Sequence, residues 1–208
     1  MFLDRGISTM SKDRLLSFTD GCVTIFLTFM VLNFATPEGN SLWDLQELIP
    51  TFITYTLSFM VIAIYWGNHH HMFATVKNIN GAIIWTNLLW VFVLSQVTFA
   101  SDWMGSSGFA AGPVAFYGFI LVCCNLSFFF IQSTIIKEQK KMNDCGDSCS
   151  ILAVALGTRW KEKITLSCYV MGTVLSFLFP PLVGFSLFLY AGATAFWFVP
   201  DKRIENIL

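Results

Sequence analysis

Four stretches of this sequence, Thr51–Trp66, Gly81–Ala100, Pro113–Ile136 and Ile164–Val199, contain no Asp, Glu, Lys or Arg. A fifth apolar stretch, Leu15–Phe34, carries a single charge, Asp20, near its start. Crossing the hydrocarbon of a bilayer, about 30 Å, takes about 20 predominantly apolar residues in a helix. Composition agrees with that reading. The chain is 55% hydrophobic and 12% charged, about half the charged fraction of an ordinary soluble domain. The expected fold is an all-α integral membrane protein, a single transmembrane domain over residues 1–208. Apolar sequence from Leu15 onward runs for about 20 residues, the length of a span rather than of a signal-peptide core, so no cleavable leader is expected.

The last uncharged stretch sets the number of spans. As one straight helix, Ile164–Val199 would be ~54 Å long at 1.5 Å per residue. Pro180 and Pro181 interrupt it, and proline cannot continue a helix without losing a backbone donor. The stretch therefore divides into Ile164–Phe179 and Leu182–Val199. Pro50 opens the second span at a position where proline is tolerated. The count is six: about 15–34, 51–66, 81–100, 113–136, 164–179 and 182–199.

The basic residues support six. Arg5, Lys12 and Arg14 precede the first span, and Lys77 lies between the second and third. Lys137, Lys140, Lys141, Arg159, Lys161 and Lys163 lie between the fourth and fifth, and Lys202 and Arg203 follow the sixth. With six spans all twelve fall on one side of the membrane. The segments Ala35–Pro50 and Ser101–Gly112 carry none. Positive residues mark the cytoplasmic side, so both termini are expected in the cytoplasm. The basic residues are scattered over short loops, and no nucleic-acid partner is expected.

Several classes are disfavoured. No Asp, Glu, Lys or Arg lies at mid-depth in a span, where ion-coupled transporters and proton pumps usually keep an ionisable group. The chain lacks a phosphate-binding glycine loop, a nucleophile elbow and a zinc-protease motif, so no enzyme is expected. The Thr-Val-Gly-Tyr-Gly filter is absent as well. Cys145 and Cys149 share a cytoplasmic loop, on the same side as His69, His70 and His71, and invite a zinc reading. They do not form a tight two-plus-two ligand pattern, so no metal and no cofactor are expected. A haem-binding redox protein and a non-transporting scaffold or sensor remain alternatives. The three consecutive histidines, all at one interface, do not suit axial haem ligation across the bilayer.

The first span carries the sharpest pattern. Phe18, Ile25 and Leu32 recur at seven-residue spacing, flanked by Gly21, Cys22, Thr28 and Phe29. Such a row reads as lipid contact, as helix packing or as the lining of a pore. Arg14 and Asp20 stand at the mouth of this span, about 240° apart around a helix, so they cannot pair on one face. Each needs another partner. Trp66, His69 and His70 are expected at the same interface, and a network of Arg14, Asp20, a histidine and the indole N–H would satisfy these groups.

These residues carry a family resemblance. "RLLSFTDG" resembles the Arg-x-x-x-Phe-Ser-Asp motif that opens the first helix of the transmembrane protein 175 family of potassium channels. "YWGNHHHMF" is similar to that family's Tyr-Trp-x-x-His-His segment, and "NLLWVFVLS" to its third-helix Asn-Leu-Leu run. Beyond Ser101 the likeness is one of hydropathy. Thr19 replaces the usual serine and keeps the hydroxyl, and His71 stands where arginine is frequent. The resemblance implies a homotetramer with one six-helix repeat per chain, potassium as the permeant ion, and a central pore lined by the first helices. Carried over residue by residue, the pore positions are Ile25, Thr28, Phe29 and Leu32. The family usually has a smaller aliphatic residue where Phe29 stands.

Overall fold

The computed structural model describes residues 10–74, 76, 78–141 and 160–198. Among the described residues the structure is helical throughout, with no strand. Six α-helices follow one another: α1 (Lys12–Leu32), α2 (Ile49–Ala74), α3 (Gly81–Ser106), α4 (Ala111–Lys141), α5 (Trp160–Leu178) and α6 (Val183–Ala195). Short 3-10 segments cover Leu42–Leu48, Pro180–Leu182 and Phe196–Phe198. Four helical segments are long and apolar enough to cross a membrane: Lys12–Leu32, Leu42–Ala74, Gly81–Ser106 and Ala111–Glu138. Pro180–Ala195 is a shorter apolar helix.

The helices overrun the apolar stretches that announce them. The α2 helix continues from Trp66 to Ala74, α3 from Ala100 to Ser106, and α4 from Ile136 to Lys141. An apolar run stops where the hydrocarbon stops, but a backbone hydrogen-bond ladder has no reason to stop there. His69, His70 and His71 consequently lie on the last turns of α2 rather than in a loop. The Pro180–Pro181 break falls where expected, with Phe179 outside the helical region and a 3-10 turn leading into α6. The last α-helix is shorter than expected, ending at Ala195 before a 3-10 turn. Val199 lies outside the described residues.

Side chains fix the ends. Ser11 caps α1 by accepting from Arg14 N at 3.4 Å, and Asn80 caps α3 by accepting from Ile83 N at 3.1 Å. Each cap satisfies an amide that the first helical turn leaves without a partner. Asn80 Nδ2 also donates to Glu138 Oε2 at 2.7 Å, tying the start of α3 to the end of α4. Lys12 Nζ donates to the carbonyl of Val76 at 2.9 Å and ties the start of α1 to the segment after α2. The start of α1, the end of α2, the start of α3 and the end of α4 therefore share one end of the bundle. Lys12, Arg14, Lys137 and Lys140 cluster there. Arg5, Lys77, Arg159, Lys202 and Arg203 lie outside the described residues.

The core runs along α3 and α4. Trp90, Leu94, Val97 and Met104 of α3 and Tyr117, Leu121 and Ile131 of α4 are fully buried. Tyr65 of α2, Trp90 and Phe128 form an aromatic cluster with ring centroids 5.5 to 6.5 Å apart. Some polar groups in the core are matched and others are not: among the described residues Trp90 Nε1, Ser176 Oγ and Ser186 Oγ have no hydrogen-bond partner. Ser58 Oγ and Tyr117 Oη lie 2.9 Å apart. Two glycines permit the close approach of α4, α5 and α6. A Cβ on Gly118 would overlap the Tyr190 hydroxyl, and one on Gly172 would lie 3.1 Å from its Cζ. α4 packs on α3 and α5, and α5 on α6, whereas α1 lies at the margin against α3 and α2.

Candidate functional site

The position of α1 divides its surface in two. Leu15, Thr19, Val23 and Met30 are buried against the bundle, with Phe26 and Leu27 half-buried beside them. On the other side Ile25, Phe29 and Leu32 are 53%, 57% and 69% exposed, and Phe18, Thr24 and Thr28 are exposed with them. All four positions that the resemblance marks, Ile25, Thr28, Phe29 and Leu32, therefore occupy the outward face. At about 100° per residue, Thr28 and Phe29 flank the Ile25/Leu32 row on opposite sides.

Two hydroxyls break this apolar face. Thr28 Oγ1 donates to the carbonyl of Thr24 at 2.8 Å, and Thr24 Oγ1 donates to the carbonyl of Asp20 at 2.9 Å. Threonine has one O–H and two lone pairs. With the proton turned back into the helix, each oxygen keeps acceptor capacity and has nothing left to donate. An acceptor of this kind suits a cation.

At the lysine-bearing end of the bundle, three buried side chains form a directed chain. His69 Nε2 lies 2.7 Å from Asn87 Oδ1. Asn87 Nδ2 donates to Thr19 Oγ1 at 2.9 Å, and Thr19 Oγ1 donates to the carbonyl of Leu15 at 3.0 Å. Because the Asn87 amide donates toward Thr19, its oxygen faces the histidine, and His69 Nε2 carries the proton. His69 is 1% exposed, and Asn87 and Thr19 are fully buried. The imidazole stacks on the Trp90 indole, centroids 4.7 Å apart and nearly parallel, with Phe73 at 4.5 Å. The chain pins α1 to α2 and α3 about two helical turns from where α1 begins.

A second contact lies at the surface beside it. Trp66 Nε1 donates to Asp20 Oδ1 at 2.8 Å. His70 faces outward next to Trp66, ring centroids 6.2 Å apart, and His71 is exposed beyond it. Arg14 is exposed, and among the described residues no carboxylate pairs with its guanidinium. The structure thus splits the single network expected from the sequence. Asp20 and Trp66 come together, His69 joins a separate buried chain, and Arg14 and His70 stand outside both. The continued helix explains the split: adjacent histidines point about 100° apart, so one turns into the core when its neighbour turns out.

Sequence reasoning did not place Asn87 or Thr19 in the site, although both stood in the motifs it quoted. The available signal was Asn87, a full amide in an otherwise apolar span, which must find partners when buried. Among the described residues no three His, Cys, Asp or Glu side chains gather as a metal site. Cys145 and Cys149 lie outside the described residues.

Comparison with known proteins bears on the same region. The profile of the family described as "Endosomal/lysosomal potassium channel TMEM175" matches residues 14–97, which hold the outward face of α1 and both polar contacts. A protein of Chryseobacterium sp. (strain P1-3) named as a potassium channel is 40% identical over 200 residues, spanning 96% of this chain and 98% of that one. A potassium channel of Streptomyces collinus is 28% identical over 123 residues, 55% of this chain and 60% of that one. The fold is similar to the crystal structure of a lysosomal potassium-selective channel TMEM175 homolog from Chamaesiphon minutus. The TM-score is 0.73 at 19% identity, over 89% of this chain and 95% of that one.

Proposed function

Because this chain belongs to the transmembrane protein 175 family of potassium channels, we propose that it conducts potassium through a central pore lined by α1 of four identical subunits. The observation that carries this reading is the two-faced α1: pinned to its own bundle by a buried polar chain, and from Gly21 to Leu32 apolar on the outside except for hydroxyl oxygens at Thr24 and Thr28. The family is one of ion channels and not of enzymes. The protein is an integral membrane protein, and with bacterial relatives its place is the cell membrane.

In this reading four Ile25 and four Leu32 side chains form apolar constrictions. A narrow apolar ring sheds water and blocks ions until it widens or the ion gives up hydration. Potassium releases water more readily than sodium, being larger with a weaker field. The ring therefore favours it, modestly, since no cage of carbonyls replaces the lost shell. Four Thr28 oxygens supply the nearest compensation. Phe29, bulkier than its family counterparts, flanks the row opposite Thr28 and narrows the lumen or the seam between adjacent α1 helices. The permeant ion is the sole non-protein species this reading requires, within the bilayer. Potassium flux from liposomes containing the purified protein tests it. Potassium should leave faster than sodium, and flux no greater than that of protein-free liposomes would favour a scaffold or sensor.

This reading has six spans with both termini in the cytoplasm, on the side where the positive-inside rule puts the twelve basic residues. Epitope tags at either end should be reached by protease only in inside-out vesicles. A tag cleaved in intact cells would break the six-span arrangement.

A further inference from the structure

We propose that each subunit binds an alkali metal cation at the end of the bundle opposite the lysines, in a half-open cavity whose wall includes Asn33, Thr51, Thr54, Thr98, Ser101 and Asp102. The cavity lies where the end of α1 meets the start of α2 and the end of α3, and measures about 10 Å³. That is room for one particle the size of a water molecule, and a bare potassium ion is of that size. Met30, from the buried face of α1, closes one side. The site is therefore on the far side of α1 from Ile25 and Leu32 and does not rest on the pore assignment.

The chemistry of the wall selects the ligand. It presents a carboxylate, five hydroxyls, one of them the Tyr55 phenol, and a side-chain amide. Ser101 is 4% exposed, and among the described residues its hydroxyl has no hydrogen-bond partner. Elsewhere on α3 Thr86 donates to the carbonyl of Ala82 at 2.9 Å and Ser95 to that of Phe92 at 2.7 Å, whereas Thr98, also on the cavity wall, shares the lack of a partner among the described residues. Ser101 borders the cavity. Asp102 likewise has no hydrogen-bond or ion-pair partner among the described residues. Thr54 Oγ1 donates to the carbonyl of Thr51 at 3.0 Å, which leaves its lone pairs available. A carboxylate only accepts, so the set favours a cation over an anion.

Charge count then separates monovalent from divalent ions. Calcium sites gather several carboxylates, and affinity rises with their number. One carboxylate among neutral oxygens matches a single positive charge. The wider field agrees: Ala35–Pro50 and Ser101–Gly112 hold Glu38, Glu47, Asp44 and Asp102 with no lysine or arginine, so this end of the molecule concentrates cations. Gly105 lets the start of α2 come close to α3 beside the site. A Cβ there would lie 2.7 Å from Thr54 Oγ1 and 3.1 Å from the Thr51 Cα, so a side chain would push the start of α2 away.

Anomalous diffraction from crystals of the full chain in thallium(I), a potassium mimic, tests the proposal. A peak is expected between Ser101, Asp102 and Thr51, lost in Asp102→Asn, which keeps the shape and removes the charge. Ser101→Ala serves as a second variant, expected to lower the peak. Melting in potassium chloride against N-methylglucamine chloride at equal ionic strength gives an independent readout, with the potassium-dependent gain smaller in Asp102→Asn than in wild type. No wild-type peak in the cavity, or a peak of unchanged height in both variants, overturns the proposal.

Discussion

Replacing Ile25 or Leu32 with asparagine raises sodium flux through the reconstituted protein by about tenfold, equivalent to a barrier lowered by about 1.4 kcal/mol. A polar ring holds water where an apolar ring sheds it, so the hydration that sodium is reluctant to lose need no longer be lost. Potassium flux rises less, since its dehydration is already the easier, and the preference between the two ions falls. Thr28→Ala lowers the same preference by a different route. Its oxygens disappear, the apolar rings stay, and potassium flux drops. Phe26→Leu and Met30→Leu serve as controls. Met30 is buried and Phe26 half-buried against the bundle, and swaps between hydrophobic residues of similar size cost little. Flux of potassium, sodium and caesium from liposomes measures all five variants. A change of selectivity in the controls and none in the Ile25 row would place the pore elsewhere.

The second large effect is on stability. Asn87→Leu leaves His69 Nε2–H without an acceptor in a site where the imidazole is 1% exposed. It also removes the donor that Thr19 accepts from. A buried group left unsatisfied costs about 1–3 kcal/mol, so the variant should lose about 2–4 kcal/mol. Replacing both partners with apolar groups is far milder than replacing one. The double variant His69→Phe/Asn87→Leu should therefore recover much of the loss. Asp20→Ala, in contrast, removes one hydrogen bond at the surface of the subunit, worth about 1 kcal/mol. Thermal melting of the purified proteins in detergent ranks the three variants against wild type. If Asn87→Leu melts with wild type, the His69–Asn87–Thr19 chain does not hold α1 in place.

The helices were legible in the sequence because the bilayer demands uncharged runs of a set length, and the Pro180–Pro181 break because proline admits few exceptions. Helix ends were not, since hydropathy marks the membrane boundary and not the last hydrogen bond of α2, α3 or α4. The angular arithmetic that kept Arg14 and Asp20 apart held in the structure. It could not say which of His69, His70 and His71 turns inward, a matter decided by Trp90 and Asn87 on another helix. The apolar row on α1 was legible from its spacing. Its role was not, because exposure is shared by side chains such as Trp85 and Phe92 on α3, at 73% and 64%. Hydroxyl oxygens do not distinguish the α1 face either, since Thr56 on α2, beside exposed Phe52 and Ile53, bonds back to its helix as Thr24 and Thr28 do; what would set α1 apart is four copies facing one another.

The pore-lining face of α1 is tested most directly by single cysteines at Ile25, Thr28 and Leu32, and at Val23 and Met30, in a Cys22→Ser background. A small positively charged thiol reagent is added during potassium flux, with the background protein as reference. Block is expected for Ile25→Cys, Thr28→Cys and Leu32→Cys and not for Val23→Cys or Met30→Cys, whose side chains are buried within the subunit. Block at Val23 or Met30 without block at the other three would contradict the account.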